Sequence, residues 1–153
     1  MPVGDEDSQR RIDAMIAALR AAGLRLTHQR LEVTREIAAS DEHPGVERVF
    51  RAVRVRVPTI SLDTVYRTLA TLADLGLVSR VTATPGPVRY DANRAPHHHF
   101  VCTRCGLIRD VENHVLDELP VPVSAEALGR VESVEVQLLG VCGDCQRKEA
   151  EHV

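Results

Sequence analysis

The chain has 153 residues, 44% of them hydrophobic but only 3% aromatic and none Trp. That allows one medium or two small domains with cores of Val, Leu, Ile and Ala. No apolar run approaches the roughly 20 residues of a membrane span, and the acidic start Met1–Gln9 lacks the basic-then-apolar order of a secretion signal, so a cytoplasmic chain with no membrane partner is expected. The net charge of −3 hides an asymmetry: residues 1–90 carry 13 Arg against 11 Asp/Glu, a net of +2, and residues 91–153 carry 6 Lys/Arg against 11 Asp/Glu, a net of −5. A mildly basic front half is compatible with phosphate contact.

The first predicted helix has Ile12, Met15, Ile16 and Leu19 on one face and stops at Gly23. Thr27 is placed to cap a second helix through Leu31, Thr34, Ile37 and Ala38. Breakers at 41–45 precede a third helix, marked by Val46, Val49, Phe50 and Val53 and ending before Pro58. Ser61 caps a fourth helix with a buried stripe of Leu62, Val65, Leu69 and Leu72, an outer face of Thr64, Arg67 and Thr71, and a stop at Gly76. Two β-like runs, Leu77–Ala83 and Val88–Tyr90, flank a turn at Thr84-Pro85-Gly86-Pro87. Three helices, a capped fourth and a hairpin make the plan of a winged helix, whose fourth helix here would enter the major groove. Residues 1–90 are therefore assigned to DNA binding and 91–96 to a hinge. From 97 to 153 the pattern is mainly β: His97–Thr103 and Leu107–Glu112 flank a Cys-x-x-Cys-Gly turn, and Val134, Val136 and Leu138 alternate with polar residues as a half-buried strand. A short helix is expected at Ser124–Leu128, kept short by Pro120 and Pro122.

Cys102-x-x-Cys105 and Cys142-x-x-Cys145 form two matched pairs. A reducing compartment disfavours disulfides, and two such pairs offer four thiolates to one structural Zn²⁺, tying the C-terminus to the first hairpin. A redox Cys-x-x-Cys, inert buried thiols and an iron–sulfur cluster are less specific readings of the same residues. A second cluster is harder to see. In His97-His98-His99 the alternation of a strand puts His97 and His99 on one side and His98 on the other. A hairpin turning at the cysteines brings Asp110 back beside them, Asp91 lies upstream, and His43 sits in a front-half loop. If the five converge, one ligand comes from the front half and four from the hinge and back half. Three imidazoles and two carboxylates then balance a divalent ion, and mixed N/O ligation suits Fe²⁺, Mn²⁺, Co²⁺, Ni²⁺ or Zn²⁺.

These residues resemble the ferric uptake regulator family over about residues 10–147. Thr27-His-Gln-Arg30 is similar to its second-helix start, His43-Pro44 to the opening of its third helix, and Ser61-Leu-Asp-Thr-Val-Tyr-Arg-Thr-Leu69 to its recognition helix. Arg89-Tyr90-Asp91, His97-His-His-Phe-Val-Cys102-Thr-Arg-Cys105-Gly and Gly140-Val-Cys142-Gly-Asp-Cys145 resemble its hinge and cysteine pairs. The resemblance implies an α+β chain: a winged helix followed by a small α/β dimerisation domain with a four-cysteine zinc site. It implies a metal-dependent repressor that binds an inverted-repeat operator as a homodimer, with Arg25, Arg30, Thr64, Tyr66 and Arg67 toward DNA. The peroxide-sensing branch uses three His and two Asp, as at His43, Asp91, His97, His99 and Asp110, with Fe²⁺ or Mn²⁺ as regulatory metal beside the structural zinc. Oxidation of a ligand His would then be the signal. The alternative is an iron, nickel, manganese or zinc sensor without peroxide chemistry. Val134 stands where iron sensors often have a histidine of an additional site. Asp63, in the first turn of the recognition helix, departs from the family's small residue, and Asn113–Gly129 carries prolines where relatives have a longer helix. A metal hydrolase would need an open coordination position and a cleft; neither an enzyme nor an organic small-molecule substrate is expected.

Overall fold

The computed structural model describes residues 4–82 and 86–151, which divide into two units, Met1–Arg94 and Ala95–Val153. In the first, α1 (Asp5–Ala21), α2 (His28–Ala39), α3 (Val46–Arg56) and α4 (Leu62–Asp74) precede a two-stranded wing, β1 (Ser79–Thr82) and β2 (Val88–Asp91). Thr27 and Ser61 cap α2 and α4: their hydroxyls accept from the amides of Arg30 and Thr64, both at 3.1 Å. The core joins Met15, Leu19, Val33, Ile37, Val49, Val53, Val65, Leu69, Leu72 and Tyr90, all buried.

Two positions on α4 depart from the expected stripe. Leu62 is 44% exposed and Thr68 is buried. At 100° per residue, Leu62 lies about 60° from the stripe's centre at Val65, whereas Thr68 lies on its other margin. The Thr68 hydroxyl donates to the Thr64 carbonyl at 2.8 Å, so its burial leaves no polar atom stranded. Gly76, in the left-handed region at φ 70°, closes α4 at no steric cost. In the wing, β1 and β2 run antiparallel with Ser79 opposite Asp91; Thr84 and Pro85 of the expected turn lie outside the described residues. Asp91, expected in a hinge, ends β2 within the first unit.

The second unit is a three-stranded sheet ordered β4-β3-β5. β3 (His98–Cys102) pairs antiparallel with β4 (Ile108–Val111) and parallel with β5 (Gln137–Gly140). Asn113 caps a one-turn α5 (His114–Asp117), its side chain accepting from the Val115 amide at 2.9 Å. A separate α6 covers Val123–Glu126; Pro120 and Pro122 divide what could otherwise be one helix. The expected strand around Val134–Leu138 begins later, at Gln137, and is exposed instead of half-buried. The C-terminal α7 (Gly143–Glu151) was not expected; it is polar, with no apolar period to mark it.

Glu32, 6% exposed on the inner part of α2, also escaped the apolar pattern. It accepts from Arg35 Nη1 and Arg56 Nε, each at 2.8 Å, and Arg56 also reaches Glu36 at 2.8 Å. The Arg56 hydrogen bond, with Arg35 behind it, holds the Glu32 carboxyl below its ordinary pKa against the opposing effect of burial. A depressed folded pKa stabilises above the unfolded value and is lost as pH falls through the folded one. Arg56→Ala should therefore cost about 1–2 kcal/mol in urea unfolding at pH 7, discounted for Arg56's partial exposure. The difference from wild type should shrink in acid below the ordinary carboxylate range.

Candidate metal centres and DNA-facing helix

The four cysteines meet at one end of the second unit. Cys102 ends β3, Cys105 closes the knuckle, Cys142 precedes α7 and Cys145 lies in its first turn. Gly106 at φ 74° reverses the chain, donating to the Cys102 carbonyl at 3.0 Å, while the Cys102 amide donates to Leu107 at 2.8 Å. Cys102 Sγ lies 3.9 Å from Cys145 Sγ, and Cys105 Sγ 3.7 Å from Cys142 Sγ; all four lie within 4.8 Å of one another. Tetrahedral Zn–S bonds of about 2.3 Å require sulfur–sulfur edges of about 3.8 Å, so the thiols fit zinc with all four positions filled. Amides of Cys105 and Cys142 hold the Cys102 thiol down at about 6, and hydrogen bonding among the thiols, led by Cys142, pushes Cys145 up to about 12. Four thiolates so close together need a cation to ionise together.

The His/Asp residues fall into two groups, one in each unit. In the first, the His43 loop is laced to β2: the Tyr90 amide donates to Pro44 O at 3.0 Å and the Arg89 guanidinium to His43 O at 3.4 Å. This sets His43 Nε2 3.3 Å from Asp91 Oδ2, both side chains buried. His43 sits at φ 52°, a conformation that costs a non-glycine residue about 1–3 kcal/mol and that clusters at functional sites.

In the second unit, His97 lies just before β3, and His99 pairs with Asp110 across the β3–β4 ladder. His97 Nδ1 donates to the Ala95 carbonyl at 2.6 Å, and His99 Nδ1 to Glu135 Oε1 at 2.7 Å. A carbonyl or an ionised carboxylate only accepts, so each Nδ1 carries a proton, and Nε2 is the nitrogen left to offer a lone pair when the ring is neutral. The two Nε2 atoms face one another at 3.0 Å, with Asp110 Oδ1 3.5 and 3.7 Å away. Three atoms of ligand type, two imidazole nitrogens and a carboxylate oxygen, thus converge on one point, a set suited to a divalent cation. The orienting partners, Ala95 O and Glu135, are not marked by any local pattern. His98 turns the other way, as expected: Nε2 donates to Asp117 Oδ1 at 3.0 Å and Nδ1 accepts from the Val136 amide at 3.1 Å.

On α4, Tyr66 is 55% exposed and lines a cleft of about 690 Å³ with Leu62, Asp63, Arg80 and Val88. Thr64 Oγ1 shares a hydrogen bond with Ser61 Oγ at 2.9 Å, and Arg67 Nε reaches Asp63 Oδ2 at 2.8 Å. Arg30 donates to the Arg25 carbonyl.

A model of the ferric uptake regulator family matches residues 21–139. The chain belongs to the ferric uptake regulator family. It is 32% identical over 148 residues to the peroxide-responsive repressor PerR of Staphylococcus aureus strain Mu50, covering 97% of this chain and 100% of that protein. Its fold matches the Helicobacter pylori ferric uptake regulator with a TM-score of 0.77 at 21% identity, over 95% of this chain and 97% of that one. It matches the Campylobacter jejuni peroxide stress regulator with a TM-score of 0.66 at 28% identity, over 90% and 97%. As a family member the chain is a metal-responsive transcriptional repressor and not an enzyme. Among the described residues, no helix is long and apolar enough to cross a membrane.

If the four-cysteine group holds the second unit together, Cys105→Ser should lower zinc content to well below one ion per chain and cost most of the thermal stability of residues 95–153. Elemental analysis after dialysis against a chelator, with calorimetry, reads both. The wild type should retain its ion under the same dialysis.

Proposed function

We propose that this repressor acts as a homodimer on an inverted-repeat operator and holds one regulatory Fe²⁺ or Mn²⁺ through His43, Asp91, His97, His99 and Asp110. The observation that carries this is the orientation of the imidazoles: both Nδ1 atoms of His97 and His99 are committed to acceptors, and both Nε2 atoms are turned toward Asp110. With His43 and Asp91, the donor set is three neutral imidazoles and two carboxylates. Its charge of −2 cancels a divalent ion, and it contains no thiolate that would favour zinc.

We propose further that hydrogen peroxide is the signal. Iron(II), when bound, supplies one-electron reduction of peroxide. The ligand imidazoles are the side chains nearest to that chemistry. The oxygen fragment released from peroxide would add to the ring of His43 or His97. Loss of one electron back to the iron and of one proton would leave the ring with one added oxygen, so that one peroxide is consumed and one water released. An oxidised imidazole is a weaker ligand for the ion, so affinity falls and repression ends. The similarity to PerR supports this reading over a plain divalent-metal sensor.

Arg25, Arg30, Thr64, Tyr66 and Arg67 are proposed to face DNA, with Arg67 exchanging its Asp63 partner for a phosphate. Eight of the thirteen exposed large hydrophobics among the described residues lie in the second unit, including Val115, Val123, Leu138 and Leu139, which supports burial of that surface against a second copy.

Iron-loaded protein treated with hydrogen peroxide should gain one oxygen atom on a peptide holding His43 or His97, with loss of operator binding; manganese-loaded protein should not. Metal-dependent operator binding with no adduct leaves the plain metal sensor. Asp63→Ala should tighten operator binding several-fold at low salt, and Arg67→Ala should reduce the slope of log affinity against log salt by about 1.

A further inference from the structure

We propose that Glu135 is a positioning residue for the regulatory metal, acting through His99, and that His98 is the strut that holds Glu135 in place. The proposal rests on the reading of His99 as a ligand.

The two neighbouring imidazoles are backed differently. His97 Nδ1 donates to a neutral backbone carbonyl, that of Ala95, whereas His99 Nδ1 donates to a carboxylate at 2.7 Å. A carboxylate behind a ligating imidazole fixes its tautomer and raises the electron density at the opposite nitrogen. His99 Nε2 is then the stronger donor of the pair, although sequence alone makes His97 and His99 equivalent members of one His-x-His.

Glu135 is not held there by regular secondary structure, since it lies just ahead of β5. Three bonds close around it instead. The His99 amide donates to the Val136 carbonyl at 3.1 Å. The Val136 amide donates to His98 Nδ1 at 3.1 Å, and His98 Nε2 donates to Asp117 Oδ1 at 3.0 Å. The Glu135 carboxylate then completes the circuit to His99 Nδ1. With both ring nitrogens engaged and the side chain only 2% exposed, His98 joins α5, β3 and the approach to β5. The middle histidine of the triplet thus sets, through Val136, the partner of its neighbour.

Glu135→Gln separates charge from geometry. The Gln carbonyl oxygen can still accept from Nδ1 but carries no charge. The side chain is 53% exposed, so folding is expected to survive. Co²⁺ is the probe, bound to zinc-loaded full-length protein in competition with a chelator and read by its visible absorption; zinc content and far-UV circular dichroism report the fold. Affinity for Co²⁺ should fall about tenfold or more in Glu135→Gln, and at least as far in Glu135→Ala, with zinc content unchanged. A Glu135→Gln protein within twofold of wild type overturns the proposal. So does a loss confined to Glu135→Ala, since Gln keeps an acceptor for Nδ1 and the proposal assigns the effect on His99 to the carboxylate charge. His97→Ala tests the underlying reading separately: if it binds Co²⁺ as wild type does, the regulatory site itself is misassigned, whatever Glu135→Gln does.

Discussion

Four sulfurs within 4.8 Å of one another are the constraint on which the second unit depends. Among its described residues, the buried apolar side chains are Val101, Cys102, Ile108 and Cys142, and two of those four are thiols of the cluster. A unit of this size buries too little apolar surface to offset the conformational entropy of ordering its chain. Zinc bound to four thiolates adds its binding free energy directly to folding. It also ties together the segments that carry His97, His99 and Asp110, the proposed regulatory ligands: the knuckle fixes the β3–β4 hairpin, and the hairpin's register sets Asp110 opposite His99.

The same logic recurs at smaller scale in the imidazoles. A ligand histidine is useful only if the correct nitrogen carries the lone pair, and that is decided at the far side of the ring. Ala95 and Glu135 make the decision for His97 and His99, while Asp117 and the Val136 amide do so for His98. Three consecutive residues of one type thus take two different roles. Strand alternation assigns the faces, and the acceptors available on each face assign the protons.

What could be read in the sequence follows from the range of the interactions involved. Helix periods, the Thr27 and Ser61 caps, the glycine stops and the cysteine pairs are local, and each lies where its spacing puts it except at the margins of the α4 stripe, Leu62 and Thr68. The His97/His99 alternation and the return of Asp110 needed only a strand and a turn. What escaped the sequence is non-local. No apolar period marks Glu32 on α2 as buried; Arg56, 24 residues away, folds against it. Asp91 looked like a hinge because the ladder that claims it is formed with Ser79. The alternation at Val134–Leu138 suggested a half-buried strand, but parallel pairing to β3 selects 137–140, where Gly140 lets the chain pass the Phe100 ring: a Cβ there would sit 2.9 Å from Phe100 Cε2.

The two donor sets also explain how one small protein could keep two metals apart. Thiolates are soft and select zinc, and a closed shell of four cysteines has no open position and no redox chemistry. The proposed His/Asp set is harder and would neutralise a divalent ion with no thiolate to hold it, so its occupancy would follow metal supply. Exchanging the donor types would defeat both tasks. A thiolate in the regulatory set would favour zinc and offer peroxide a sulfur to oxidise, and a His/Asp shell at the knuckle would tie the stability of the second unit to the metal being sensed. In the proposed mechanism the oxidisable group is an imidazole, and for His97 the ring's geometry is set from outside the site, by the Ala95 carbonyl behind it. Damage to that ring can therefore release the ion while leaving the thiolate centre, and the fold it supports, in place.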